Sequence, residues 1–303
     1  IALILLGGGL SFYLIHTPSL IPTLAEVPIH PGSSKAILHL SSGTAIPVNT
    51  TSQELKEKDG TLIRISNEGV LNYAESANIS TANLINRLEI PRGGEFKIKL
   101  ADGTEVWLNA ETELRYPTVF SSLERRVKLQ GEGYFKVAKN EKQPFIVETN
   151  KCNVKVLGTE FNVMAYAADS IWETALLEGA VEILSPGTTM NGMKLEPNTM
   201  ASLKGNKLIK ERIKDPEHFL WREGLICFNN VSVKDMLEKL KLYYGVDIIV
   251  NNTKILNNHY SGKFRTRDGV EHVLKVLRLN NKFTYKKDDE KNEELNPFCN
   301  EYH

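Results

Sequence analysis

The chain has 303 residues, 41% of them hydrophobic, which is enough for one or two packed cores and too many for wholesale disorder. Thirty-seven basic residues balance thirty-seven acidic ones without a basic cluster, which sets nucleic acid aside as a partner. Cys152, Cys227 and Cys299 form no CxxC pair and stand at no zinc-ligand spacing from histidine, so they read as buried thiols rather than a disulfide or a metal site.

Residues 1–15 carry no charge. A helix needs about 20 apolar residues to cross the hydrocarbon layer, and this run starts without Met. It is expected to be the end of a transmembrane helix whose beginning lies upstream; the other reading is the apolar part of a signal peptide, but no small-residue cleavage pattern follows directly. No Lys or Arg occurs between Ile15 and Lys35, whereas cytoplasmic flanks collect basic residues. Pro18, Pro22, Pro28 and Pro31 make residues 16–34 a stiff spacer. The bulk of the chain is thus expected in the periplasm, held by a single span to the cytoplasmic (inner) membrane.

Residues 35–214 read as mainly β. The stretch Leu38–Asn49 aligns with Ile98–Asn109 at a constant offset of 60 residues, each being apolar alternation, a turn at Ser42-Gly43 or Asp102-Gly103, and alternation again. A weaker match pairs Ile63–Gly69 with Val127–Gly133. Further strands are expected at Tyr134–Val137, Phe145–Glu148, Val154–Leu157, Phe161–Ala165, Thr174–Leu177 and Ala180–Leu184. Repeated hairpin units of this kind predict a sandwich or twisted solenoid.

From Asp215 to Lys287 the pattern becomes a small α/β domain of two β-α-β units in tandem. The first has a strand at Leu225–Phe228, a turn at Asn229-Asn230, and a helix capped by Ser232 with Val233, Met236, Leu237, Leu240 and Tyr244 on one face. Gly245 stops it before a strand at Val246–Val250. The second has a strand at Tyr260–Phe264, Asp268 as a cap, a stripe of Val270, Val273, Leu274 and Leu277, and a strand at Phe283–Tyr285. Residues 288–303 are expected to be a disordered, charged tail.

The pattern holds no HExxH, no GxSxG and no P-loop, and the seven histidines are scattered. Binding is therefore the expected activity, with no catalytic residue, no cofactor and no metal.

Ordered motifs then narrow the reading: Ile90–Glu95 (IPRGGE), Leu100–Ala110 (LADGTEVWLNA), Leu114–Pro117, Gly131–Val137, Pro144–Val147, Val156–Val163 (VLGTEFNV), Leu177–Gly179 and Trp221–Gly224. Over residues 35 to 287 the chain resembles the FecR family of transmembrane anti-sigma regulators. Its C-terminal unit resembles the small domain shared with secretins and with the signalling extension of TonB-dependent receptors. The resemblance implies a relay by protein–protein binding, from a TonB-dependent outer-membrane receptor to an extracytoplasmic-function sigma factor. The sigma factor would be held by a cytoplasmic domain absent from this chain. It also implies, for some relatives, self-cleavage at Gly158-Thr159; the alternative there is a turn with Thr159 as an ordinary strand former. The competing function is a membrane-anchored carbohydrate-binding β module, although Trp107 and Trp172 alternate with apolar neighbours as core residues do.

Overall fold

The computed structural model describes residues 33–48, 52–58, 60–66, 70–73, 84–167, 172–184, 192–205, 207–213, 216–251, 253–280 and 283. The 1–15 run, residues 16–32 of the spacer, the end of the expected Phe283–Tyr285 strand and the 288–303 tail lie outside them. No helix among the described residues is long and apolar enough to cross a membrane.

The chain first lays down β1 (Ser33–Ser34), β2 (Ala36–His39), β3 (Ala45–Val48), β4 (Gln53–Lys56), β5 (Leu62–Ile65) and β6 (Val70–Tyr73). There follow β7 (Ile85–Ile90), β8 (Gly94–Lys99), β9 (Glu105–Leu108), β10 (Thr112–Pro117), β11 (Arg125–Lys136), β12 (Phe145–Glu148) and β13 (Asn153–Val156). The series ends with β14 (Glu160–Ala165), β15 (Glu173–Glu178), β16 (Val181–Leu184), β17 (Met193–Leu195), β18 (Thr199–Lys204) and β19 (Lys207–Arg212).

These strands form two curled sheets joined by one strand. The first runs β3–β2–β7–β10–β11–β12–β13–β16–β17. The second runs β4–β5–β6–β8–β9–β11–β14–β15–β18–β19. Residues 128–130 of β11 pair with β10 in the first sheet, and residues 131–136 pair with β14 in the second. Gly131 sits at the crossing with φ +111°, and a Cβ there would fall 2.4 Å from Thr112 Oγ1. Only glycine combines that backbone angle with so close an approach.

Alternate residues of both sheets meet in one core that includes Leu38, Ile63, Leu88, Ile98, Leu114, Phe135, Phe161 and Trp172. That alternation is the period-2 signature of a half-buried strand, here repeated along the whole scaffold. The fold is mainly β, as the repeats predict.

The two aligned hairpins are built alike. Leu40 N–H donates to Thr44 O at 2.9 Å and Gly43 N–H to Leu40 O at 2.9 Å. Sixty residues on, Leu100 donates to Thr104 at 2.8 Å and Gly103 to Leu100 at 2.9 Å. Gly43 and Gly103 have φ of 90° and 85°, which explains the shared glycine. A third copy, unrecognised in the pattern, closes with Glu57 N–H on Thr61 O and Gly60 N–H on Glu57 O. In the weaker match, Ile63–Ile65 and Val127–Leu129 both lie in strands, β5 and β11, and β11 runs on through Gly131-Glu132-Gly133, whereas residues 67–69 lie outside the described residues.

The C-terminal unit has its own core around Phe228, Met236, Leu240, Val273 and Leu277. It consists of β20 (Leu225–Ser232) paired antiparallel with β21 (His259–Arg265), α1 (Val233–Tyr244) and α2 (Val270–Asn280). Ser232 Oγ caps α1 by accepting from Asp235 N–H at 3.1 Å, and Gly245 ends it at φ 63°.

Three local expectations are corrected. Asn229-Asn230 is no turn but a bulge inside β20, where Asn230 reaches φ 51° and the register shifts. Val246–Val250 joins no ladder among the described residues, although its side chains alternate between inward Val246 and Ile249, which is 80% exposed. Asp268 lies in a 3-10 turn, Thr266–Asp268, one residue short of Gly269, and α2 starts only at Val270.

Candidate functional site

The outer face of the second sheet is where the two cores meet. The 3-10 segment Pro216–Glu223 drops Phe219 and Trp221 onto that face against Tyr134 and Ala175. Phe219 meets Tyr134 edge-on at 6.0 Å, and Tyr134 meets Trp107 edge-on at 5.8 Å. The Arg222 guanidinium lies 3.8 Å from the Tyr134 ring centre, a cation–π contact within an otherwise apolar seam. Tyr134 OH donates to Glu160 at 2.8 Å; burial first, then that carboxylate, hold the phenol protonated well above its ordinary range.

A polar network underlies the seam. Glu132 accepts from Asn109 Nδ2 at 2.8 Å and from Asn162 Nδ2 at 3.0 Å. Asn109 Nδ2 also reaches Tyr243 OH of α1 at 3.3 Å, and Trp221 Nε1 donates to Asn162 Oδ1 at 3.4 Å. Burial, and secondarily the Glu132 charge, raise the Tyr243 hydroxyl far above the usual phenol value. It therefore stays a neutral hydrogen-bonding group.

Two cavities flank this junction. One, of about 340 Å³, is lined among others by Glu132, Met164, Met200, Trp221, Cys227 and Tyr243. The other, of about 220 Å³, lies between Glu95, Lys97, Trp107 and Arg222. Trp107 is thus half-buried under the C-terminal unit rather than in the main core, whereas Trp172 is fully buried and donates to Thr149 Oγ1 at 3.0 Å. Lys97 Nζ and the Arg222 guanidinium approach the Trp107 ring at 4.4 and 5.9 Å, so that ring is no open platform for stacking a sugar.

A second seam lies at the end of α1, where the Pro91–Gly94 turn meets the last carbonyls of the helix. Gly93 N–H donates to Leu242 O at 2.9 Å. Arg92 donates to Val246 O at 2.9 Å and pairs with Asp247 at 3.1 Å. A helix end presents unsatisfied carbonyls and a partial negative charge, which is what a guanidinium and a backbone N–H complement. The IPRGGE motif is therefore a docking element, a role that its sequence did not disclose.

Gly158-Thr159 joins β13 to β14, directly before Glu160, the acceptor of the Tyr134 hydroxyl. A Cβ on Gly158 would stand 2.7 Å from Lys139 Cα, so the glycine makes room for a neighbouring backbone. Gly158 is not among the positive-φ residues. Thr159 is buried, its hydroxyl donates to Ala180 O at 3.0 Å, and its carbonyl accepts from Val137 N–H at 3.0 Å. Burial pushes the Cys152 thiol up to about 11, and Cys227 is half-buried beside the larger cavity. Cys299 lies outside the described residues. Among the described residues no group of three or more His, Cys, Asp or Glu could hold a metal ion.

Comparison with known proteins decides what this arrangement belongs to. Residues 86–182 match the family model described as FecR protein, and residues 225–293 match that of the FecR C-terminal region. A crystal structure of a candidate anti-sigma factor from Parabacteroides distasonis ATCC 8503 superposes with a TM-score of 0.59 at 30% identity, covering 67% of this chain and 94% of that one. The chain belongs to the FecR family. A second crystal structure of a candidate anti-sigma factor from the same organism gives a TM-score of 0.60 at 29% identity, over 68% of this chain and 95% of that one. Comparison with curated proteins gives no match. The first FecR match spans β7 to β16 and the second begins at β20, so the seam through Phe219 and Trp221 falls between the two.

Proposed function

We propose that this FecR-family regulator is the periplasmic part of a single-span anti-sigma protein, relaying a signal from a TonB-dependent outer-membrane receptor to an extracytoplasmic-function sigma factor. In this reading residues 1–15 end the membrane span and residues 16–34 form the spacer. Residues 35–214 are the scaffold, residues 215–287 the signalling unit, and residues 288–303 a tail. The receptor's signalling extension engages the small α/β unit, and the sigma factor is held by the family's short cytoplasmic helical domain.

The observation that carries the reading is the seating of a unit with its own core on the scaffold through one aromatic seam and one helix end. An aromatic seam with a polar network beneath it, joining units that have separate cores, suits a part that must change partners. The work done is binding, and the reading of Gly158-Thr159 is structural. The Thr159 hydroxyl is committed to a carbonyl acceptor, which cannot serve as the base that nucleophilic attack on Gly158 would need.

Transcription from the sigma factor's own promoter tests this in cells. Removing residues 215–303 is expected to leave transcription unresponsive to the receptor's substrate. A response equal to that of the intact protein would overturn the relay. A reporter that works only in the cytoplasm, fused after Ser34, is expected to be silent; activity there would overturn the topology.

A further inference from the structure

We infer that the Pro91–Gly94 turn is a coupling element, which holds the signalling unit on one side and the membrane-proximal spacer strand on the other, so that release of one loosens the other. The inference rests on the regulator reading above and supplies its mechanical step.

On one side of the turn stand the bonds to α1 and to the residues just after it. They run from Gly93 N–H to Leu242 O at 2.9 Å, from Arg92 to Val246 O at 2.9 Å and to Lys241 O at 3.5 Å, and from Arg92 to Asp247 at 3.1 Å. The fit is close. Gly93 has φ +67°, and a Cβ on it would come within 3.0 Å of Gly245 N and 3.1 Å of Tyr244 C. Two left-handed glycines, Gly93 and Gly245, thus pass each other backbone to backbone.

On the other side stands β1. Ser33 pairs with Gly94 and Ser34 with Glu95, in parallel, and a Cβ on Gly94 would lie 3.0 Å from Lys35 O. Gly94 N–H closes the turn on Pro91 O at 3.0 Å. Adjacent residues therefore contact the two elements, and Cα atoms of neighbours are only about 3.8 Å apart. The signalling unit cannot leave without freeing the Arg92 guanidinium and the Gly93 N–H, and the Gly93 backbone sets the direction in which Gly94 and Glu95 meet β1. A two-residue strand holds too few hydrogen bonds to persist once its partner's geometry drifts. By linkage the effect is reciprocal: a pull on the spacer weakens the seat of α1.

Hydrogen exchange on the whole chain reads this directly. Arg92→Ala removes the exposed grip without touching either core, and Gly93→Ala drives a methyl into the Gly245 backbone. Both are expected to speed amide exchange by about fivefold or more in two separate places, residues 242–247 and residues 33–37, while β10 and β13 stay as in the parent. Faster exchange at 242–247 with residues 33–37 unchanged in both variants would overturn the coupling. No change at 242–247 in either variant would overturn the latch itself. The experiment contains neither receptor nor sigma factor, so its failure is distinct from a failure of the relay.

Discussion

Trp221 lies across the junction from Asn162, its Nε1 donating to Asn162 Oδ1 at 3.4 Å, and the residue is 5% exposed. Trp221→Ala is expected to cost about 3–5 kcal/mol of the docked state, the range for truncating a buried aromatic. The signalling unit has its own core, so the loss should appear at the seam. Limited proteolysis is expected to cut between Ile213 and Leu225 far faster than in the parent, with the β scaffold remaining resistant. Unchanged cleavage there would mean that Trp221 does not hold the unit.

Inside the scaffold, Arg125 is 1% exposed and pairs with Asp102 at 2.8 Å, and it also donates to Ala138 O and Gln143 O. Thr104 Oγ1 donates to the same Asp102 carboxylate at 2.7 Å, tying the pair to the β8–β9 turn. Asp102→Ala strands a buried guanidinium, and the expected loss is about 3–5 kcal/mol. Thermal unfolding should shift down by about 6–20 °C for a domain of this size. A shift within about 2 °C would show that the carbonyls alone hold Arg125.

Gly158 and Thr159 give a paired expectation. Gly158→Ala forces a methyl against the Lys139 backbone and should destabilise by about 1–3 kcal/mol. Thr159→Ala loses the hydrogen bond to Ala180 and should cost about 1 kcal/mol. Intact-mass spectrometry over several days is expected to show an unbroken chain in both parent and Thr159→Ala. A fragment starting at Thr159, present only in the parent, would replace the structural reading with self-cleavage.

Much of the scaffold is legible in the sequence because its strands alternate cleanly. Phe145–Glu148 is found as expected, and β13, β14, β15 and β16 lie within a residue of their expected bounds. The strands β17, β18 and β19 are not legible, since Met193–Leu195 is too short for a pattern and Lys207–Arg212 is mostly polar and solvated. Gly131-Glu132-Gly133 reads as a hairpin because glycine usually marks a turn, whereas here it marks a strand passing between sheets. Of the candidate site, Trp221 and the IPRGGE motif are visible as motifs only. Their role depends on which surfaces a later element covers, and that is a tertiary fact without a local signature.

In the relay proposed above, the receptor's signal enters at the C-terminal unit. The most direct measurement is the affinity of the isolated signalling extension of each TonB-dependent receptor of the source organism, titrated against the full chain and against a chain ending at Ile213. One extension is expected to bind the full chain and to lose at least about tenfold in affinity when residues 214–303 are removed. Equal affinity for both chains would contradict it, because the scaffold alone would then be the receptor's partner.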